Sequence, residues 1–169
     1  MSEPVIIRAA AAADLPALHA LIERAYRGEA ARVGWTHEAD LVAGTRLEPG
    51  ELAAALVDPA VRLLSATFQR EPVGCVQVTR CGPARAYLGL LTVDPMRQAS
   101  GLGARLLASG EAAARALGAD TIEMTVVDLR TELIAWYERR GYRVTGERRP
   151  FPVPALRRVE FVVLERVLD

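Results

Sequence analysis

Gly101 and Gly103 stand where the strand-like run "YLGLLTV" gives way to "LGARLLASGEAAARALG", a run with helical spacing. A strand, a tight glycine turn and a helix together make an anion site. The first amides of a helix have no partner within it, and the helix dipole makes that end positive. Glycine lets a ligand approach the backbone closely and permits positive φ. Gln98 and Ser100 offer neutral hydrogen bonds beside the turn, while Arg97 and Arg105 offer charge. The chemistry is recognition of a phosphate or pyrophosphate, and two common forms of it are excluded. A P-loop needs the pattern G-x-x-x-x-G-K-[ST], and the chain contains no lysine. A dinucleotide fingerprint needs a third glycine where Leu106 stands, on the first strand-helix unit of its domain. Two readings remain open on these residues alone. One is a pyrophosphate held by backbone amides without a required metal; the other is a tight turn whose glycines serve packing.

Few other side chains combine into chemistry. Glu123 lies in "TIEMTVV", where it shares a polar face with Thr121 and Thr125, opposite Ile122, Met124 and Val126. It is a candidate base or an ion-paired strand carboxylate. Tyr137 lies in "IAWY", where a phenol placed near a helix start is either a proton donor or a core aromatic with a satisfied hydroxyl. Cys75 and Cys81 are six apart, with no CxxC or Cys/His spacing and no histidine nearby. They suggest no zinc site and no disulfide framework, are weak candidates for a nucleophile, and both read as strand packing. His19, between Leu18 and Leu21, reads as structural.

The elements that must position these residues follow from periodicity. "PVIIRAA" reads as a strand. "DLPALHALIERAY" reads as a helix with Asp14 as its cap and Leu15, Leu18, Leu21, Ile22 and Ala25 on one face. An irregular stretch around Trp35 precedes the short helix "PGELAAALVD". Three strands follow, with turns at "EP" and "GP". Then come the glycine-led helix ending at Gly118, the strand "TIEMTVV", and the helix "TELIAWYERRG" closed by Gly141. The strands "YRVTGER" and "RRVEFVVLERVL" flank the proline-rich "RPFPVPA". The order β-α-α-β-β-β-α-β-α-β-β implies a mixed sheet flanked by helices. With 169 residues, no repeat and no linker, the expectation is one domain spanning 1–169. Positive and negative residues balance at 21 each, which gives no general pull toward nucleic acid or anionic membranes. No signal peptide or long apolar run is visible, so a cytoplasmic protein without membrane contact is expected.

The stretch "LLTVDPMRQASGLGARLL" resembles the acetyl-CoA-binding motif of the GNAT superfamily of N-acetyltransferases, V-x-P-x-x-[RQ]-x-x-G-x-[GA]. Val93, Pro95, Gln98, Gly101 and Gly103 fill its positions. "ELIAWYERRGY" is similar to a later family segment through Tyr137, Gly141 and Tyr142. The resemblance implies an α/β fold of mixed α+β kind. Its central sheet has about seven mostly antiparallel strands, flanked by about four helices and splayed between the fourth and fifth strands. It implies an acetyl-CoA-dependent N-acetyltransferase that uses acetyl-CoA as cosubstrate and no metal. Backbone groups of Leu91 and Val93 would bind the pantetheine arm. Gln98, Ala99, Ser100, Gly101, Leu102 and Gly103 would wrap the pyrophosphate. Arg130 replaces an asparagine that often contacts the arm. Tyr137 would protonate the departing thiolate, a backbone N–H near Val93 would stabilise the oxyanion, and Glu123 would act as base. On the acceptor side, Trp35 and Phe151 would form apolar walls, Arg46 and Arg149 would hold a carboxylate, and Glu38 would hold an ammonium. These charges suit a small zwitterionic amine. A non-catalytic acyl-CoA or metabolite sensor, another acyl-CoA and a protein amine stay open. The apolar last strand leaves a homodimer open as well.

Overall fold

The structure, a computed structural model, describes residues 4–26, 47, 50–98, 100–150 and 160–169. The strands are β1 (Ile6–Ala9), β2 (Val61–Phe68), β3 (Glu71–Arg80), β4 (Arg85–Val93), β5 (Thr121–Val127), β6 (Arg143–Pro150) and β7 (Glu160–Val167). The α-helices among the described residues are α1 (Leu15–Tyr26), α2 (Glu51–Val57), α3 (Leu102–Ala116) and α4 (Thr131–Glu138). One seven-stranded sheet runs in the order β1-β2-β3-β4-β5-β7-β6. Every neighbouring pair is antiparallel except β4 and β5. The expected mixed fold and element order are what the structure contains.

Two apolar layers sandwich the sheet. On one face, Leu102, Leu106, Leu107 and Ala114 of α3 pack with Tyr137 of α4 against Val76, Val78, Leu88, Ile122 and Met124. On the other, Leu18, Leu21 and Ile22 of α1 and Leu52 of α2 pack against Leu63, Cys75 and Leu90. The α1 stripe at Leu18, Leu21, Ile22 and Ala25 has the i, i+3, i+4, i+7 spacing that predicts it. Leu18, Leu21 and Ile22, each fully buried, contribute about 1.5–3 kcal/mol apiece. α3 can lie close to the sheet because Gly110 has no side chain: a Cβ there would sit 3.1 Å from Leu88 and 3.4 Å from Val78.

Two local expectations are corrected. Asp14 does not cap α1. It ends a short 3-10 turn, accepting from the Ala11 N–H at 2.7 Å and pairing with Arg8 at 2.8 Å. The turn between β2 and β3 is not at Glu71–Pro72. It lies at Gln69–Arg70, both at positive φ, the twist a two-residue hairpin needs, and Phe68 pairs with Glu71. The apolar last strand is internal to the sheet, between β5 and β6, so its own neighbours account for its apolarity. Among the described residues, no helix is long and apolar enough to cross a membrane.

Candidate active site

β4 and β5 pair over only three positions, Arg85↔Thr121, Ala86↔Ile122 and Tyr87↔Glu123. Beyond them β4 continues to Val93 and β5 to Val127 without pairing, so the two strands splay. The cause on the β4 side is a bulge. Gly89 faces Gln77 and Thr92 faces Cys75, so Leu90 and Leu91 together oppose the single residue Val76. Leu90 holds φ at 52°, a left-handed conformation that is strained for leucine. The extra residue inverts the alternation. Ala86 and Leu88 face the α3 layer before the bulge, and Leu91 and Val93 face it afterwards. Leu90 turns to the α1 layer. The only local hint in "LGLLTV" is Gly89, an isolated glycine in a strand directly before the bulge, and sequence reasoning missed it.

The chain leaves β4 through Asp94, whose carboxylate accepts from the Met96 N–H at 3.0 Å. It enters α3 through Gly101 at φ 84°. A Cβ on Gly101 would meet nothing within 4 Å, so the requirement for glycine is conformational. A Cβ on Gly103 would lie 3.6 Å from the Trp136 ring, which brings α4 against the α3 N-terminus. Leu102 is buried beneath the turn. Ser100 donates to the Arg97 carbonyl at 2.6 Å, and the Arg97 guanidinium lies over the Phe68 ring. Arg105 donates to the Val5 carbonyl at 3.0 Å. Both arginines suggested as phosphate charges thus have protein neighbours of their own. Gln98 lies on the turn and is half-buried. Ala99 falls outside the described residues.

Tyr137 lies in the last turn of α4, not near a helix start as expected, and is 5% exposed. It meets Trp136 edge-on at 5.0 Å and Tyr142 at 5.7 Å. Among the described residues, nothing hydrogen-bonds its hydroxyl. Burial pushes the phenol above its ordinary value of 10.0; Tyr26 and Tyr87 push the same way, and Arg130 opposes them. A phenol so placed stays protonated and available to donate. Arg130, itself buried, sits just before α4, and its N–H donates to the Val127 carbonyl at the end of β5. Thus α1, β4, β5 and α4 converge on the splay. Across it, the Tyr87 hydroxyl and Thr125 Oγ1 lie 2.7 Å apart.

Glu123 marks the closed end of the splay. Arg149 donates to it at 2.9 Å, Arg85 lies 3.7 Å away, and the Cys81 thiol is 3.7 Å from its other oxygen. Its polar face with Thr125 is as expected, and the ion pairs fill much of its hydrogen-bonding capacity. Arg149 also holds Glu147 at 3.1 Å. Cys81 is not strand packing: it is exposed just beyond β3. Burial and the Glu123 carboxylate push its thiol up, away from nucleophilic character. Cys75 is fully buried, as expected of a packing residue. Trp35, Glu38, Arg46 and Phe151 fall outside the described residues. No group of three or more metal-ligating side chains occurs among those described.

Comparison with known proteins gives a consistent picture. The model of the acetyltransferase (GNAT) family matches residues 16–142. No curated protein matches the chain in sequence. The ribosomal-protein-S18-alanine N-acetyltransferase of Escherichia coli superposes with a TM-score of 0.73 at 18% identity, over 98% of this chain and 95% of that one. An aminoglycoside 6'-N-acetyltransferase complexed with coenzyme A superposes at 0.72 with 16% identity, over 97% of each chain. A GNAT family acetyltransferase from Elizabethkingia anophelis with acetyl-CoA bound gives 0.61 at 18% identity, over 75% of this chain and 94% of that one. At these identities the structural likeness is one of fold.

Proposed function

The chain belongs to the acetyltransferase (GNAT) family, and from that premise we propose that it moves an acetyl group from acetyl-CoA to the primary amine of a small metabolite, in one step within a ternary complex. The observation that carries the reading is the splay of β4 from β5 beside the positive-φ Gly101, with the Tyr137 hydroxyl at the same place and not hydrogen-bonded by any of the described residues. An extended amide chain can pair with backbone that a missing strand leaves open. Leu91 and Val93 supply that backbone, with Arg130 nearby. Gln98, Ala99, Ser100, Gly101, Leu102 and Gly103 surround the pyrophosphate, whose charge the α3 N-terminus favours. The chain in this reading is a single cytoplasmic catalytic domain, with no nucleic acid or membrane partner.

The residues divide the chemistry as follows. The acceptor nitrogen attacks the thioester carbonyl carbon, and charge gathers on the oxygen as the C–N bond forms. A backbone N–H of the bulged strand stabilises that charge. The C–S bond breaks, and the thiolate takes the Tyr137 proton. Glu123 receives the acceptor's proton through water. Arg149, with Trp35, Glu38, Arg46 and Phe151, holds the acceptor.

The test is thermal stability with and without acetyl-CoA, with ATP and NAD as controls. A ligand at 100 times its dissociation constant, binding only the folded state, adds about 2.7 kcal/mol. A shift selective for acetyl-CoA is expected, followed by amine-dependent release of free thiol. No shift at saturating acetyl-CoA overturns the reading. An unchanged pH–rate profile in Glu123→Gln removes its base role, and an unchanged acceptor KM in Arg149→Ala removes that contact.

A further inference from the structure

Two successive carbonyls of the β4 bulge are held by side chains from three different elements. The Leu90 carbonyl accepts from Thr92 Oγ1 at 2.9 Å and from the Cys75 thiol of β3 at 3.4 Å. The Leu91 carbonyl accepts from the Tyr26 hydroxyl, at the end of α1, at 2.5 Å. Thr92 is 2% exposed and Cys75 fully buried, so water does not compete for the first pair of bonds. These contacts fall at Leu90, the one non-glycine residue among the described β-strand residues with positive φ.

A peptide unit is planar and trans, so its carbonyl and the following N–H point in opposite directions. The Leu90 carbonyl is drawn toward β3 by Cys75, and the N–H of the same unit, that of Leu91, is therefore aimed away from β3. That is the side from which β5 has splayed. The Tyr26 bond fixes the next peptide unit, so Leu91 is held at both ends. A donor that stabilises a developing oxyanion must be aimed before the charge appears, and a bulge free to relax would not keep that aim. We propose that Thr92, assisted by Cys75 and Tyr26, is a positioning residue that directs the Leu91 N–H at the acyl carbonyl. This rests on the acetyl-CoA reading above and refines its oxyanion donor from the neighbourhood of Val93 to Leu91.

The experiment uses acetyl-CoA labelled with ¹³C at the acyl carbonyl, so it needs no knowledge of the acceptor. Wild type, Thr92→Val, Thr92→Ser and Tyr26→Phe are each saturated with it, and the bound carbonyl resonance is recorded. Affinity for CoA, which has no acyl carbonyl, is measured in parallel. In wild type a hydrogen bond from Leu91 moves the carbonyl resonance downfield on binding. Thr92→Val and Tyr26→Phe lose most of that displacement while retaining CoA affinity, and Thr92→Ser restores it. With an amine identified, kcat falls roughly 3- to 10-fold in Thr92→Val, the range for one neutral buried hydrogen bond, with little change in the KM for acetyl-CoA. A general packing defect would instead weaken CoA binding and move Thr92→Ser in the same way. The assignment is overturned by a wild-type-like carbonyl resonance in folded Thr92→Val, or by loss of the displacement in Thr92→Ser. If Thr92→Val does not fold, a wild-type-like resonance in Tyr26→Phe overturns it. Bound acetyl-CoA with no carbonyl displacement in wild type overturns the positioning role alone. Failure of wild type to bind acetyl-CoA overturns the functional reading beneath it.

Discussion

Replacing Tyr137 with phenylalanine should move stability and catalysis in opposite directions. The ring is buried among Trp136 and Tyr142, and phenylalanine keeps both edge-on contacts. Only the hydroxyl is lost, and among the described residues nothing hydrogen-bonds it. A polar group buried without a partner costs about 1–3 kcal/mol. Among the described residues only Ser65 Oγ is a fully buried side-chain oxygen or nitrogen without a partner, so the Tyr137 oxygen keeps some access to water and the gain is at most about 1 kcal/mol. In a chain of this size that raises the melting temperature of the ligand-free protein by at most about 2–4 °C. Loss of a general acid lowers kcat about 10²- to 10⁴-fold. The assays are calorimetry without ligand and thiol release with an amine that the screen identifies. The wild-type phenol, pushed above 10.0 chiefly by burial, should impose no alkaline limb on kcat below that pH. A lower melting temperature with unchanged kcat would refute the reasoning, because Tyr137 would then be a core aromatic whose hydroxyl is satisfied. An alkaline limb below pH 10.0 that vanishes in the variant would refute the burial argument.

Other positions separate fold from site. Gly101→Ala places a Cβ in open space at φ 84° and should cost about 1 kcal/mol in the absence of ligand. The stabilisation by acetyl-CoA should shrink further, read as a smaller thermal shift at fixed ligand. Gly74→Ala pushes a Cβ to 2.8 Å from Leu106 and 2.9 Å from the Thr92 carbonyl oxygen, and that backbone atom cannot yield cheaply. It should lose about 2 kcal/mol or more in denaturant titration. Glu111 is buried, accepting from the Tyr142 hydroxyl at 3.0 Å and from Arg166 at 2.6 Å. Glu111→Ala should cost about 2–3 kcal/mol, below the value for a fully buried pair because Arg166 is 30% exposed. Arg85 and Arg143 hold the Glu165 carboxyl below its ordinary 4.5, so its contribution is present above that pH and lost as pH falls through the depressed value. Glu165→Gln should flatten the acid limb of the stability curve below pH 4.5.

The order of strands and helices was legible because it rests on local signals: the helical stripe of α1, the alternation of "TIEMTVV", and the glycines that end α3 and α4. The glycine turn was legible for the same reason, since Gly101 at positive φ is a local backbone requirement. What escaped depends on partners far away in sequence. Asp14 looks like a helix cap until Arg8 and the Ala11 N–H claim it. Gln69 and Arg70 give no hint of positive φ, which the pairing of Phe68 with Glu71 imposes on them. Cys81 looked like packing because its neighbours alternate, yet it lies just past the strand, where Glu123 meets it across the sheet. The bulge at Leu90 is the extreme case. It is specified by the register of β3 and by hydroxyls on Thr92 and Tyr26, and, Gly89 apart, an unbroken alternation through "LGLLTV" fitted the sequence equally well.

These exceptions gather in one place, and that is an argument in itself. Natural sequences keep local preference, pattern and polar satisfaction in agreement, and where they depart from it the cause is usually function. Around the splay the departures accumulate: strand pairing that stops after three positions, a leucine at positive φ, and a buried phenol without a hydrogen bond from the described residues. Any one of them has a structural explanation. Together they open a slot between two strands, aim an N–H toward it, and leave a protonated hydroxyl beside it. If these were independent packing accidents, relieving them separately would stabilise the protein and leave ligand binding unchanged. If they form one device, relief at Tyr137 stabilises the protein and removes turnover, whereas removal of the Thr92 hydroxyl changes the bound carbonyl and spares CoA affinity. The two variants thus separate proton donation from oxyanion alignment within a single site.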